Sequence, residues 1–525
     1  MHAGSKALSK HLLKSTAVVG GMTLISRILG FIRDVAIARY FGADTGTDAF
    51  FVVFKIPNFL RRLFAEGAFS QAFVPVLADY RERRGPAETQ AFLDNTAGTL
   101  ILALALLAGI GAVAAPLLIL LFAPGFYQNP EQYGLGVEML RIVFPYLFFI
   151  CLTAFSGGIL NTWGNFAVPA FTPVFLNLSM ISAAVWLAPQ LSEPIKALAW
   201  GVLLAGVLQL GFQLPALWRL GLLPRPRIDF GDPGVRRILR LMAPAIFGTS
   251  VGQLNLLFNT LIASFLVSGS VSWLYYSDRL VEFPLGIFGI AIGTVMLPHL
   301  SKNHANLDPR GFSHALDWAL RWMLLIGLPA TLGLVVLAKP LVYTLFQYQH
   351  FSSHDAEMAA RSLMGYSVGL LGFIGVKVLV PGFSARQDLR TPALYGIYTV
   401  AANLLLSLAL VWQAAPLGYG HAGLALATAL AALLNAGLLL AKLLRERVYR
   451  PEPGWPGFLG RVCLACGAMA AILAHAAGAY RWPDWTLAER ALNLGFWIAA
   501  GFGVYLLCLA LTGLRPRHVL LPETA

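Results

Sequence analysis

Residues 15–41 read STAVVGGMTLISRILGFIRDVAIARYF, and residues 48–77 read DAFFVVFKIPNFLRRLFAEGAFSQAFVPVL. Apart from their charges, both read as membrane helices, which need about 20 mostly apolar residues. Yet the pair carries Arg27, Arg33, Arg39, Lys55, Arg61 and Arg62. A guanidinium at the centre of a lipid-facing helix costs about 2.5–3.5 kcal/mol on insertion scales, so three or four would cost about 10 kcal/mol. Most of these side chains are therefore expected to line a wet cavity, pair with acids or hold an anion. The N-terminal third is where function is expected.

The rest of the chain fits that frame. Of 525 residues, 58% are hydrophobic and only 12% charged, with a mean hydropathy of +0.69. A soluble protein would carry about 25% charged residues. Stretches such as Leu100–Leu121 and Ala401–Val411 hold no charge at all. These features read as an all-α polytopic membrane protein, and no short alternating segments suggest a β-barrel. The net charge of +13 reads as a cytoplasmic excess of Lys and Arg rather than as a nucleic-acid surface. Cys463 and Cys466 form a C-x-x-C with no second ligand pair, and read as inert helix residues. Lys6, Lys10 and Lys14 precede the first apolar run, but no cleavage site follows, so the run reads as a retained first helix.

Breaks at polar, Gly and Pro clusters predict about fourteen spans, near 15–41, 47–80, 88–122, 133–161, 167–188, 195–219, 235–267, 271–302, 312–346, 356–384, 391–413, 420–446, 456–479 and 485–512. Alternate connections are basic: Arg81, Arg83 and Arg84, then Arg219 to Arg237, Lys302 and Arg310, Arg386 and Arg390, and Lys442 to Arg450. The opposite connections, such as Gly42–Thr47 and Ala123–Tyr133, are nearly free of Lys and Arg. This alternation places both termini in the cytoplasm.

A weak internal repeat recurs at a nearly constant offset along the chain. Pro75 aligns with Pro298, Pro169-Ala170 with Pro392-Ala393, and Pro116…Phe122 with Pro340…Phe346. Six helices per unit is an even number, so both halves enter the membrane alike, as in transporters with parallel repeats. The expected organisation is an N-lobe over 1–222, a C-lobe over 223–450, and two extra helices over 451–525. Two such lobes with a cavity between them suit alternating access.

Several stretches resemble the MurJ (MviN) family: Ser26 to Asp34, Thr47 to Phe51, Phe54 to Phe69, Ser272-Trp273 with Asp278-Arg279-Leu280 and Glu282-Phe283-Pro284, and Gly382 to Asp388 with Thr391-Pro392. The resemblance covers essentially the whole chain. It implies a lipid II flippase of peptidoglycan synthesis, in the multidrug/oligosaccharidyl-lipid/polysaccharide exporter superfamily. It further implies two six-helix lobes plus two C-terminal helices that form a groove for the polyprenyl tail. The family's required arginines match Arg27, Arg33, Arg61 and Arg279, and a required acid matches Glu66.

Guanidinium groups suit a pyrophosphate because they stay charged and offer forked donors. Arg27 and Arg33, six residues apart on one helix, point about 120° from each other. Gly30 between them permits close approach or a kink, and Arg61 and Arg279 could complete the ring. Other roles stay open. Arg33 with Asp34 and Asp48 also reads as a structural ion pair. Arg39 reads as snorkelling and Arg62 as interfacial. Lys55 reads equally as snorkelling or substrate-facing. Asp278 is a candidate partner for Arg279, Glu66 for Arg61, and Lys377 a candidate for the cavity.

No cofactor is expected. Membrane potential acting on the arginines, or protons on Glu66, Asp48 or Glu282, could supply coupling. Asn259 and Asn403 are weak candidates for a cation site, better read as interhelical hydrogen-bonding groups. The expected partners are lipid II, membrane lipids and other cell-wall synthesis proteins, in the bacterial inner membrane. One rival is an exporter of another polyprenyl-linked glycan or of drugs. A remoter rival is a membrane enzyme acting on polyprenyl phosphates, whose only D-x-x-D is Asp229 with Asp232.

Overall fold

Proline decides where many of the helices break. The computed structural model describes the backbone of residues 2–286, 290–306 and 308–513; within these, the side chains of 2–18, 64–66, 247–252, 290–295 and 303 stand outside the description. Every helix or strand assignment among the described residues is helical. The chain forms two units, Met1–Phe265 and Leu266–Ala525.

The first unit opens with α1 (His2–Phe41), followed by a left-handed turn at Gly42 (φ 69°). Asp44 caps α2 (Thr45–Arg61), its carboxylate accepting from the Thr47 amide at 2.8 Å. Pro57 inside α2 offers no N–H to the preceding turn. Beyond it the helix widens into a π-helical stretch, Arg62–Phe69, then resumes as α3 (Ser70–Arg83). A continuous apolar run is broken at Ala114, ahead of Pro116, into α4 (Gly85–Val113) and α5 (Ala115–Phe122). The next breaks at Pro145 into α6 (Pro130–Val143) and α7 (Tyr146–Thr162). Pro173 separates α8 (Ala167–Phe171) from α9 (Pro173–Ser182). Two long helices, α10 (Lys196–Arg219) and α11 (Pro233–Ala263), complete the unit.

The second unit holds α12 (Ser270–Pro284), α13 (Ile290–Ala305), α14 (Pro309–Val336), α15 (Ala338–Phe346), α16 (Ser353–Val368), α17 (Leu370–Ser384), α18 (Arg390–Ala414), α19 (Gly420–Arg445), α20 (Trp455–Ala479) and α21 (Leu487–Leu511). The last two pack on α14 and α15 through Leu337, Phe458, Met469, Leu473 and Tyr505.

Ten helical stretches among the described residues are long and apolar enough to cross a membrane. Their outer faces carry large apolar side chains in the open, including Ile110 at 64%, Leu405 at 68% and Trp412 at 82% exposure. Water would penalise such faces, whereas hydrocarbon accepts them. The molecule is a multi-pass membrane protein.

The repeat is visible in backbone detail. The break at Ala114 (φ −79°, ψ 5°) recurs at Leu337 (φ −90°, ψ 12°), at the same offset that carries Pro75 to Pro298. The left-handed residue Gly164 (φ 80°) has its counterpart in Gln387 (φ 61°) at that offset. Two buried acids, Asp94 and Asp317, obey it too. In the first unit α11 lies against the π-helical stretch, α3 and α4.

Candidate functional site

In the first unit the cationic residues fall into distinct environments. Arg33 is 5% exposed and Asp34 1%. The Arg33 Nε and Nη2 donate to Asp34 Oδ1 at 3.0 and 2.7 Å, and Nη1 donates to Asn177 Oδ1 at 3.1 Å. The Asn177 amide nitrogen in turn donates to the Ser26 carbonyl at 2.9 Å, which ties α9 to α1. Gly30 admits this contact: a Cβ there would lie 3.7 Å from the Asn177 amide, and α1 runs on through it. Arg33 also sits 5.9 Å from the centre of the Phe54 ring. A buried guanidinium survives only when paired and hydrogen-bonded, and Asp34 with Asn177 meets that need.

Arg27 lies exposed on the same helix, so it and Arg33 face different surroundings, as six-residue spacing predicts. Arg39 is exposed in the last turn. Along α2, Asp48 is buried at 2% and Lys55 half-buried. Arg61 is half-buried, its Nε donating to Asn58 Oδ1 at 3.3 Å, while the Asn58 amide nitrogen donates to the Phe54 carbonyl at 2.8 Å. Arg62 is exposed where the π-helical stretch begins. A π-helical turn changes the angular step between side chains and recurs at functional sites. Here it follows Arg61 directly. The side chain of Glu66 lies outside the described residues.

The second unit presents Arg279 on α12. Its Nη1 donates to Glu282 Oε2 at 2.7 Å, its Nη2 to the Tyr275 hydroxyl at 3.3 Å, and its guanidinium lies 5.1 Å from the Tyr275 ring centre. Two contacts hold α12 against α16. Trp273 Nε1 donates to Asp355 Oδ1 at 3.0 Å, and the Ser277 hydroxyl donates to the Ala359 carbonyl at 2.7 Å. Asp278, Glu282 and Lys377 are exposed, while Asn403 is 1% exposed on α18. Asn259 is half-buried on α11 of the first unit.

Phe283 and Pro284, one turn beyond Arg279, border an apolar cavity of about 820 Å³. Its walls come from α14, α20 and α21, with Trp322, Pro329, Gly333, Leu473 and Phe502 among them. Among the described residues no group of three His, Cys, Asp or Glu side chains is placed to hold a metal ion. The D-x-x-D has local work: Asp229 accepts from the Gly231 amide, and Asp232 accepts from Gly234, Val235 and Asn95 as the cap of α11.

Two contributors escaped sequence reasoning. Asn177 is a lone amide in the apolar run 167–188, which was its only signal. Tyr275 stands four residues before Arg279, the spacing of one helical turn.

Helices throughout the described residues, arginines buried or half-buried on α1, α2 and α12 and an apolar cavity of about 820 Å³ fit a polytopic membrane transporter. A family model described as lipid II flippase MurJ matches residues 37–492. The chain is 46% identical over 520 residues to the probable lipid II flippase MurJ of Vibrio cholerae serotype O1, covering 98% of each. It is 44% identical over 476 residues to the lipid II flippase MurJ of Burkholderia cenocepacia, covering 90% of this chain and 91% of that one. Its fold is similar to a solved lipid II flippase MurJ in an inward closed conformation, with a TM-score of 0.77 and 26% identity, covering 94% of this chain and 98% of that one. An inward-facing multidrug resistance MATE family transporter of the MOP superfamily shares the fold, with a TM-score of 0.64 at 14% identity over 82% of this chain and 98% of that one. The chain belongs to the lipid II flippase MurJ family.

Proposed function

We propose that this protein moves lipid II from the cytoplasmic to the periplasmic leaflet of the bacterial inner membrane by alternating access, with both termini in the cytoplasm. Arg27, Arg33, Arg61 and Arg279 hold the pyrophosphate in this reading. The observation that carries it is the adjacency on α12 of Arg279 and Phe283, a guanidinium one turn from an apolar cavity. Such a pairing suits a molecule with a doubly charged head and a long hydrocarbon tail. The tail lies along α14, α20 and α21 while the head meets the arginines. Glu282 keeps Arg279 oriented until phosphate oxygens replace it, and Asp34 and Asn177 do the same for Arg33. Glu66 belongs with the arginines in the substrate-binding set, and Lys55, Lys377, Asp48 and Asp278 support it as ion-pair or coupling groups.

No cofactor enters this cycle. A membrane potential exerts about 2.3 kcal/mol per elementary charge per 100 mV. Negative inside, it favours outward passage of the anionic head and inward return of the empty cationic site.

The first test is outward accessibility of lipid II after depletion of the protein, read with an externally added enzyme that cleaves lipid II. Collapse of cleavage with accumulation inside supports the reading; unchanged cleavage with no redundant flippase present overturns it. Arg27→Ala combined with Arg279→Ala is then expected to abolish transport at unchanged protein level, and full activity in that variant would remove the arginines from the mechanism.

A further inference from the structure

Asp317 is 1% exposed on α14, yet it faces four donors. Its Oδ1 accepts from the Tyr449 hydroxyl at 2.7 Å, Trp455 Nε1 at 2.7 Å and the Glu452 amide at 3.2 Å. Its Oδ2 accepts from Arg321 Nε at 2.7 Å. Arg321 extends the same clamp, lying 5.2 Å from the Trp455 ring centre and 5.6 Å from that of Phe458, with Nη2 donating to the Pro453 carbonyl at 3.3 Å. One turn before Asp317, the Ser313 hydroxyl exchanges hydrogen bonds with the backbone of Arg450. The whole segment 449–458, which leads into α20, is thus fastened to the first turns of α14.

The repeat shows that this is a built feature. Asp94, the counterpart of Asp317 in the first half, accepts from the Arg225 amide at 2.8 Å, and its own carbonyl accepts from Arg227 at 3.0 Å. Gly98 one turn on lets that backbone lie against the helix, since a Cβ there would meet the Arg227 carbonyl oxygen at 2.2 Å. In each half a buried acid captures the chain leaving the last helix of the repeat. In the second half that chain is the root of the α20–α21 hairpin.

We propose that Asp317 is a positioning residue for the polyprenyl tail, fixing the seat of α20 and α21 and so the width of the apolar cavity they share with α14. Trp322, next to Arg321, lines that cavity, and Tyr505 of α21 donates to the Leu325 carbonyl at 2.6 Å on its wall. The far end of the hairpin has its own clasp, where Arg490 donates to the carbonyls of Tyr343 at 3.0 Å and Pro483 at 2.6 Å. Between the two clasps the helices part around the cavity. The carboxylate is needed because a single oxygen must satisfy three donors while the other pairs with a cation, which an amide does less well.

This inference rests on the reading that the cavity takes the tail, and the experiment separates the two. Full-length protein in vesicles is assayed with lipid II and with an analogue bearing the same head on a short prenyl chain. Asp317→Asn is expected to lower transport of the long-chain substrate about tenfold, as a loosened supporting contact does, and to leave the short-chain rate unchanged. Tyr449→Phe, which keeps all charges, should shift the ratio the same way by less. Equal losses on both substrates, or none, overturn the positioning role. Gly333→Leu, at a cavity-lining position with nothing within 4 Å of its Cβ, tests the cavity itself. If the wild type does not distinguish chain length and Gly333→Leu changes nothing, the tail reading falls and the inference with it. If Gly333→Leu abolishes the distinction while Asp317→Asn keeps it, the positioning role alone is wrong.

Discussion

At the scale of the residue, the arginines differ in what holds them. Arg33 has lost nearly all contact with solvent and is satisfied by Asp34 and by Asn177, an amide 144 residues away. Removing the acid breaks a buried ion pair held by two hydrogen bonds, which typically costs about 3–5 kcal/mol. Removing the amide takes away one hydrogen bond to the guanidinium, at about 1–3 kcal/mol. Asp34→Ala is therefore expected to lower the thermal midpoint of the purified protein more than Asn177→Ala does. The reverse order in a melting measurement would show that Asn177 carries the site. Arg279 stands at the other extreme: its side chain is 34% exposed and its partner Glu282 47% exposed, so this pair contributes little to stability. Its part is to present charge.

At the scale of the element, helices in this protein meet through small residues. On α17, a Cβ at Gly372 would lie 2.5 Å from the Ala432 carbonyl carbon, and one at Gly369, the residue that caps its start, would lie 2.5 Å from the Ala429 Cα. Backbones this close gain dispersion contacts that hydrocarbon does not offer as a driving force between ordinary side chains. Gly372→Leu must push α17 off α19, so a destabilisation of at least about 1–3 kcal/mol is expected. Gly467→Ala, with nothing within 4 Å, serves as the control and should melt like the wild type. Comparable melting of the two variants would place the helix contact elsewhere. Proline is the second device. Breaks beside Pro116, Pro145 and Pro173 follow from the missing proline N–H, although the spans 88–122, 133–161 and 167–188 read as continuous in the sequence. The π-helical stretch Arg62–Phe69 was not legible either, because a change from one hydrogen-bonding period to another leaves no residue signature comparable to proline.

At the scale of the whole molecule, charge alternation between connections is expected to set the orientation. A single cysteine replacing exposed Arg84 should react with a membrane-impermeant thiol reagent only from the cytoplasmic side, and one replacing exposed Gln128 only from the opposite side. Labelling of both from the same face would invert the counting of spans between them. Much of the architecture was legible beforehand. Low charge and long apolar runs sufficed for the membrane class, since no soluble fold tolerates such exposed faces. Matching prolines at a nearly constant offset disclosed the repeat, which the breaks at Ala114 and Leu337 and the acids Asp94 and Asp317 then made concrete. The resemblance drew attention to Arg27, Arg33, Arg61 and Arg279.

What the sequence by itself determined was the solvent the protein lives in, the repetition of its halves and the charges it had to accommodate, because these depend on composition and spacing along one chain. Only the tertiary structure decided who partners whom. A helix apolar on every side gives no periodicity from which to read its inward face. Thus the bond from Asn177 to Arg33, the seat of Arg279 beside an apolar cavity and the capture of segment 449–458 by Asp317 arise from contacts between helices far apart in sequence, and no local pattern encodes them.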